Sequence, residues 1–302
     1  MKTHDFFYEL PERLIAQTPI SPRDASRMLV CGRQDSRRAH RHFFDLPEYL
    51  RPNDAVVINH TKVIPARLLG VKEDSGAACE VLLLKRLSRD QWEALVHPGR
   101  RLKTGSRVIF GSGSLSASIL SSTDFGGRIV QFEYGGVFEE ILDELGQMPL
   151  PPYIHEKLED KSRYQTVYAK FSGSAAAPTA GLHFTPQILQ KLEEQGTSVI
   201  PILLHVGLGT FRPVKTDNPD EHVMHQEYYE VSDSAAERIN AARAKGGRVL
   251  CVGTTSLRTL ETVSDERGVI HPGKGMTGIF IRPGYRFKAC DLLLTNFHLP
   301  ES

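Results

Sequence analysis

Apolar and polar residues alternate along Val130, Gln131, Phe132, Glu133 and Tyr134, the period-two pattern of a half-buried strand. That segment, Arg128–Tyr134, closes a series of six short strand candidates beginning near Ala66. The others are Arg67–Lys72, Glu80–Arg86, Gln91–Val96, Arg107–Phe110 and Leu115–Leu120. Turn-rich stretches separate them, at Glu73–Gly76, Pro98–Gly99, Gly111–Gly113 and Thr123–Gly127. Six short strands with no intervening helix predict a small closed barrel. A helix should follow, because Phe138, Ile141, Leu142 and Leu145 share one helical face and Gly146 supplies a C-terminal stop.

Beyond Met148–Tyr153, whose three prolines favour an extended connector, the period changes. Thr185 and Pro186 open a helix running to Gln195, and Ser198–His205 reads as a strand. Ser234 and Glu237 have capping-box spacing for a helix ending near Lys245. Arg248–Val252 is a strand with a helix after it capped by Thr255 or Ser256, and Ile279–Ile281 and Leu292–Leu294 are further strands. The β-branched run Asp54–Asn59 supplies one more, ahead of the barrel. Strand–helix alternation predicts an α/β fold: a mainly parallel sheet with flanking helices, interrupted by an inserted six-stranded β-barrel. The expected division is 1–65 and 151–302 for the α/β domain and 66–150 for the barrel.

Length and charge narrow the function classes. At 302 residues the chain has room for about two domains, and a 24% charged fraction is ordinary for globular proteins. A net charge of +1 gives no global field, so nucleic-acid binding would need a local basic patch. Two basic clusters qualify, Arg33–His42 and the group Arg100, Arg101, Lys103 and Arg107. The four cysteines are scattered, with no zinc-site or disulfide spacing. Met1–Leu10 lacks the apolar core of a secretory signal and no apolar run is long enough to span a bilayer, so a cytoplasmic location is expected.

Candidate chemistry gathers near strand ends. Gly253, Thr254, Thr255 and Ser256 open a helix after a strand, where free N–H groups suit carboxylates and phosphates; Arg258 lies close behind them. The same pattern fits a well-capped helix with no ligand. His205–Phe211 follows another strand, and Gly207 and Gly209, with Thr210 beside them, permit close backbone approach to a ligand. Thr179, Gly181 and His183 share one loop before a helix, and an imidazole there suits proton transfer. His222, His225 and Glu227 lack the H-E-x-x-H spacing, so no metal is expected and a general base or a structural network fits better. His298 falls at another strand end.

Taken in order, ten segments resemble the S-adenosylmethionine:tRNA ribosyltransferase-isomerase family of queuosine biosynthesis. They are Asp5–Arg27, Asn59–Arg67, Met148–Ile154, Arg163–Ala169, Ala177–Thr185, Leu204–Val214, His222–Glu227, Gly253–Glu261, Gly278–Phe287 and Leu294–Pro300. The resemblance implies transfer and isomerisation of the ribosyl part of S-adenosylmethionine onto 7-aminomethyl-7-deazaguanine at the tRNA wobble position. The products would be epoxyqueuosine in tRNA, adenine and methionine. It implies no cofactor beyond S-adenosylmethionine as substrate, no membrane, no obligate protein partner and a monomer. His183, His225, Glu227 and His298 become candidates for base and acid, in no fixed order. Thr179, Gly181, His205, Gly207, Gly209, Thr210, Gly253, Thr254, Thr255, Ser256 and Arg258 become candidates for substrate binding. Lys62, Arg67 and Arg282 become candidates for tRNA contact.

Family members continue beyond the position matching Ser302, so the chain resembles a shortened member, and a catalytically impaired tRNA-binding protein is the alternative. A methyltransferase would show a Gly-rich loop after its first strand, and a tRNA-guanine transglycosylase a cysteine-rich zinc site; neither pattern is present.

Overall fold

A computed structural model describes residues 1–33, 35–123, 126–207 and 216–302. Two units emerge. One comprises Met1–Thr61, Pro152–Phe171 and Ala177–Ser302; the other comprises Lys62–Pro151 and Ser172–Ala176.

In chain order, β1 (Arg27–Cys31) and β2 (Arg38–His42) form an antiparallel pair, followed by a 3-10 helix at Phe43–Tyr49, β3 (Ala55–Asn59) and β4 (Thr61–Val63). Six strands come next: β5 (Arg67–Lys72), β6 (Ala78–Arg86), β7 (Gln91–His97), β8 (Arg107–Phe110), β9 (Leu115–Ser122) and β10 (Arg128–Tyr134). They close into a barrel in the order β10-β7-β6-β5-β8-β9. The bounds of β5, β8 and β10 are those expected, and the other three strands run slightly longer. Alternate residues point inward, so Val81, Leu83, Phe110, Ile119, Val130 and Phe132 fill the interior. Helix α1 (Phe138–Leu145) packs Phe138 and Leu142 onto the same core. Gly146 does end α1, but not in a left-handed conformation, since its φ is −80°. Glycine is required there by closeness: a Cβ would lie 2.0 Å from the Pro65 carbonyl oxygen and 2.5 Å from that of Leu142.

The remaining elements are β11 (Phe171–Ser174), α2 (Pro186–Glu194), β12 (Ser198–Leu204), β13 (Glu227–Val231), α3 (Asp233–Ala244), β14 (Val249–Val252), α4 (Gly253–Val263), β15 (Gly273–Thr277) and β16 (Leu292–Leu294). The six-stranded sheet has the order β15-β13-β12-β3-β14-β16. Strands β12, β3, β14 and β16 are mutually parallel, while β13 runs antiparallel to β12 and β15. The sheet is therefore mixed, with parallel strands at its centre. Strand β3 is buried along its whole length and feeds two cores. Ala55 and Val57 meet α3 and α4 through Ile239 and Leu260; Val56 and Ile58 meet α2 and the 3-10 helix at Phe43–Tyr49 through Ile188 and Phe43.

Several local expectations change. Ile279–Ile281 is not a strand; the strand is β15, which ends before it at Thr277 and whose sequence GKGMT carries no apolar alternation. Ser232, not Ser234, caps α3, accepting the Ala235 N–H at 3.2 Å. Helix α4 begins at Gly253 with Val252 as its uncapped entry residue, which puts Thr255 and Ser256 inside the first turn instead of at the cap. Thr185 does cap α2, accepting the Ile188 N–H. Among the described residues, no helix is long and apolar enough to cross a membrane.

Candidate functional site

The C-terminal ends of parallel strands are where an α/β sheet leaves backbone groups free for a ligand. Here β3 runs into His60, β12 into His205 and Gly207, β14 into Gly253, and β16 into Asn296. Glu227 opens the antiparallel β13, so it stands at the same end. Buried Asn59 ties two of these strand ends together. Its side chain donates to the Leu204 carbonyl at 2.8 Å and accepts from the Leu204 and Thr61 N–H groups. A hollow of about 280 Å³ lined by Asn53, Gly196, Arg238 and Lys245 lies at the opposite, N-terminal end of β3 and β12, and none of the candidate residues lines it.

One group of residues centres on Glu227, which is 2% exposed. Its Oε2 takes the Arg258 guanidinium, and its Oε1 accepts the Gly207 N–H at 2.9 Å and lies 3.2 Å from His225 Nε2. Arg258 in turn donates to the Ile279 and Thr277 carbonyls. Burial by itself pushes the Glu227 carboxyl up. The contacts with His225, the charge of Arg258 and the Gly207 N–H outweigh it and hold the group below the ordinary carboxylate range. Both oxygens of this carboxylate are occupied, while the His225 side chain beside it stays partly exposed. His205 follows β12 directly, just ahead of Gly207. Its Nδ1 lies 2.9 Å from the Thr61 hydroxyl, its ring stacks on Tyr228, and burial draws its pKa down.

A second group surrounds the first turn of α4. Gly253 turns directly from β14 into the helix at φ +80°, a conformation that strains any side chain. Ala180 approaches it, within the 3-10 helix Thr179–His183 that carries the expected Thr179, Gly181 and His183. Gly181 is forced by the Tyr168 hydroxyl, which a Cβ would meet at 2.2 Å. His183 Nε2 lies 3.4 Å from Asn296 Nδ2, and burial lowers the His183 pKa. Thr254 is exposed, whereas the Thr255 and Ser256 hydroxyls are buried and, among the described residues, have no hydrogen-bond partner.

Among the described residues, His298 and Arg282 join neither group. The His298 carbonyl takes the Tyr8 hydroxyl, and among the described residues no hydrogen bond links its ring to another candidate. Arg282 pairs with Asp220, and Arg67 donates twice to Glu80 Oε2, at 2.9 and 2.7 Å, so each guanidinium already has a carboxylate. Lys62 is exposed. Gly209 and Thr210 lie outside the described residues. His222 packs its ring on Phe280, and among the described residues no group of three or more His, Cys, Asp and Glu is arranged to hold a metal. Sequence reasoning missed Thr61, Thr166, Tyr168 and Asn296. The signal that reveals Tyr168 is Gly181, whose missing side chain leaves space for the phenol.

The arrangement can hold an anion next to an imidazole at one side and offer uncharged hydroxyls at the other. The family model described as "Queuosine biosynthesis protein" matches residues 3–302. A protein of Symbiobacterium thermophilum named S-adenosylmethionine:tRNA ribosyltransferase-isomerase is 60% identical over 302 residues, covering 100% of this chain and 89% of the relative. A protein of Moorella thermoacetica with the same name is 61% identical over 303 residues, with coverage of 100% and 89%. The crystal structure of S-adenosylmethionine tRNA ribosyltransferase from Thermotoga maritima is 35% identical, with a TM-score of 0.50, over 99% of this chain and 86% of that one. The strand-end site therefore sits in a chain that belongs to the queuosine biosynthesis protein family.

Proposed function

We propose that the protein transfers and isomerises the ribosyl moiety of S-adenosylmethionine onto 7-aminomethyl-7-deazaguanine in tRNA, giving epoxyqueuosine, adenine and methionine. The observation that carries this reading is identity of 60% and 61% over the whole chain to proteins that bear the corresponding name. The geometry suits it. The sulfonium acidifies the adjacent 5′-carbon, so a base must reach that proton. Glu227 is a poor base, because its proton affinity is depressed and both oxygens are engaged. His225 is the better one: a partly exposed imidazole held 3.2 Å from the Glu227 carboxylate, of a residue type suited to proton transfer. Glu227 is thus the positioning group. His183 and Asn296, in the second group, supply hydrogen bonds to the departing adenine.

On the same reading the protein works in the cytoplasm as a monomer, with tRNA and S-adenosylmethionine as substrates and no cofactor. The test is incubation with S-adenosylmethionine and tRNA carrying the aminomethyl-deazaguanine, followed by assay of free adenine. Adenine release that requires that tRNA is the expected result. Formation of S-adenosylhomocysteine in its place would replace ribosyl transfer with methyl transfer.

A further inference from the structure

Buried polar side chains in folded proteins nearly always have partners, because an unmatched hydroxyl loses its water and gains nothing. Among the described residues, five that lack a partner lie on elements packed around one short segment, Ser256 among them through the first turn of α4. They are Thr166 Oγ1, the Tyr168 hydroxyl, Thr255 Oγ1, Ser256 Oγ and Asn296 Oδ1. Thr166 is 5% exposed and Ser256 fully buried. The segment they surround is the 3-10 helix Thr179–His183. A Cβ on Gly181 would meet the Tyr168 hydroxyl at 2.2 Å and the Thr166 methyl at 2.9 Å. The preceding residue, Ala180, faces Gly253, whose Cβ position is 3.3 Å from Thr255 Oγ1. The last residue, His183, contacts Asn296. Arg23 fastens the frame from behind, donating to the Gln165 and Leu182 carbonyls.

The chemistry of the cluster selects its ligand. It holds four hydroxyls and an amide, with no charged side chain among them, and the adjoining imidazole of His183 is kept neutral by burial. Such a set suits a neutral molecule rich in hydrogen-bonding edges and suits a phosphate or carboxylate poorly. The Tyr168 phenol stays protonated throughout the working range, because burial drives its pKa upward, so it acts as a donor.

We propose that Tyr168, with Thr166, Thr255, Ser256 and Asn296, forms the recognition site for the purine ribonucleoside portion of the substrate. This rests on the reaction proposed above. In that arrangement the nucleoside lies against the first turn of α4 and the sulfonium end reaches the Glu227–His225 pair. Tyr168 is a specificity-determining residue, and it fixes the nucleoside by donating one hydrogen bond.

The test measures binding of S-adenosylmethionine and of adenosine to the wild-type protein and to Tyr168→Phe and Ser256→Ala by calorimetry, with the thermal midpoint of each free protein. A site built to hydrogen-bond its ligand discriminates strongly when one partner is removed, so affinity should fall roughly 10- to 100-fold. The midpoint of each free variant should hold or rise, because a hydroxyl without a partner contributes nothing to the empty fold. A lowered midpoint with unchanged affinity would make these hydroxyls structural and overturn the proposal. So would unchanged affinity in both variants, or no adenosine binding by the wild type. The adenine-release assay on the same preparations judges the reaction separately: turnover by the wild type together with normal binding by Tyr168→Phe would leave the reaction standing and remove this site.

Discussion

At the scale of single residues, Glu227 and Arg258 decide most of the site's electrostatics. Arg258→Met leaves a buried carboxylate without its counter-charge and should cost about 3–5 kcal/mol, read by urea unfolding. Adding Glu227→Gln to it should recover much of that loss, because the stranded charge is gone. His225→Asn should lower kcat by roughly 10²- to 10⁴-fold with a far smaller change in KM for S-adenosylmethionine, the expected cost of losing a general base. A pH dependence follows from two imidazoles. His183 and His205 are partly buried, and that burial draws their pKa values below 6.5. The unfolded chain therefore binds more protons than the folded one just below that value. Stability from these groups is complete above about pH 6.5 and is lost as pH falls through their folded pKa values. Unfolding free energies measured from about pH 7 down to about pH 5 should decline, and His183→Asn should flatten the slope. At this scale the sequence grouped His225 with Glu227 in one short segment and named Arg258 apart, but the meeting of Glu227 with Arg258 was hidden. Residues 227 and 258 are joined only because β13 is a strand of the sheet on which α4 packs. Tyr168 and Thr166 lie in the segment Arg163–Ala169 that carries the resemblance, but as isolated hydroxyls without periodicity they were not singled out as site residues.

At the scale of elements, legibility tracked the way each strand is buried. The barrel strands expose one face and bury the other, so the alternation of side chains is written in the residues themselves. Strands β13 and β15 were not recognised because EYYEV and GKGMT do not alternate. Strands β1 and β2 are largely exposed, and the arginines and histidines of β2 read as part of a charge cluster. Caps are the hardest feature to place, because a serine two residues away satisfies the same sequence rule. Ser232→Ala should cost about 1 kcal/mol in thermal or urea unfolding, whereas Ser234→Ala should stay within about 0.5 kcal/mol of wild type. Gly146→Ala tests the end of α1. Its Cβ would collide with two backbone carbonyls, so the variant should unfold at lower urea concentration although alanine suits its φ of −80°.

At the scale of the whole molecule, a net charge of +1 means that binding of tRNA must come from local basic groups. Arg38 and Arg41 on β2 are exposed, whereas Arg107 is held by Glu133 at 2.7 Å and faces Glu73 at 3.6 Å. If β2 meets phosphates, replacing Arg38 and Arg41 by alanine should reduce the salt dependence of tRNA binding by roughly one unit of log–log slope for each phosphate no longer neutralised. Arg107→Ala should leave that slope unchanged. Filter-binding titrations at several salt concentrations check both. The overall plan, a barrel interrupting a sheet with parallel strands, was legible because periodicity shifts sharply at the prolines after residue 148; the strand order was not, since nothing local states which strands will be neighbours. That order has a consequence in time. Strand β3 lies between β12 and β14, whose first residues, Ser198 and Val249, come long after Ala55. At a synthesis rate of about 5–20 residues per second, β3 leaves the ribosome roughly 7–30 seconds before its first partner exists. All six barrel strands are made during that interval and can pair at once. The nascent chain thus carries a finished barrel beside an unsatisfied AVVIN segment, and this is the stretch a chaperone would be expected to hold.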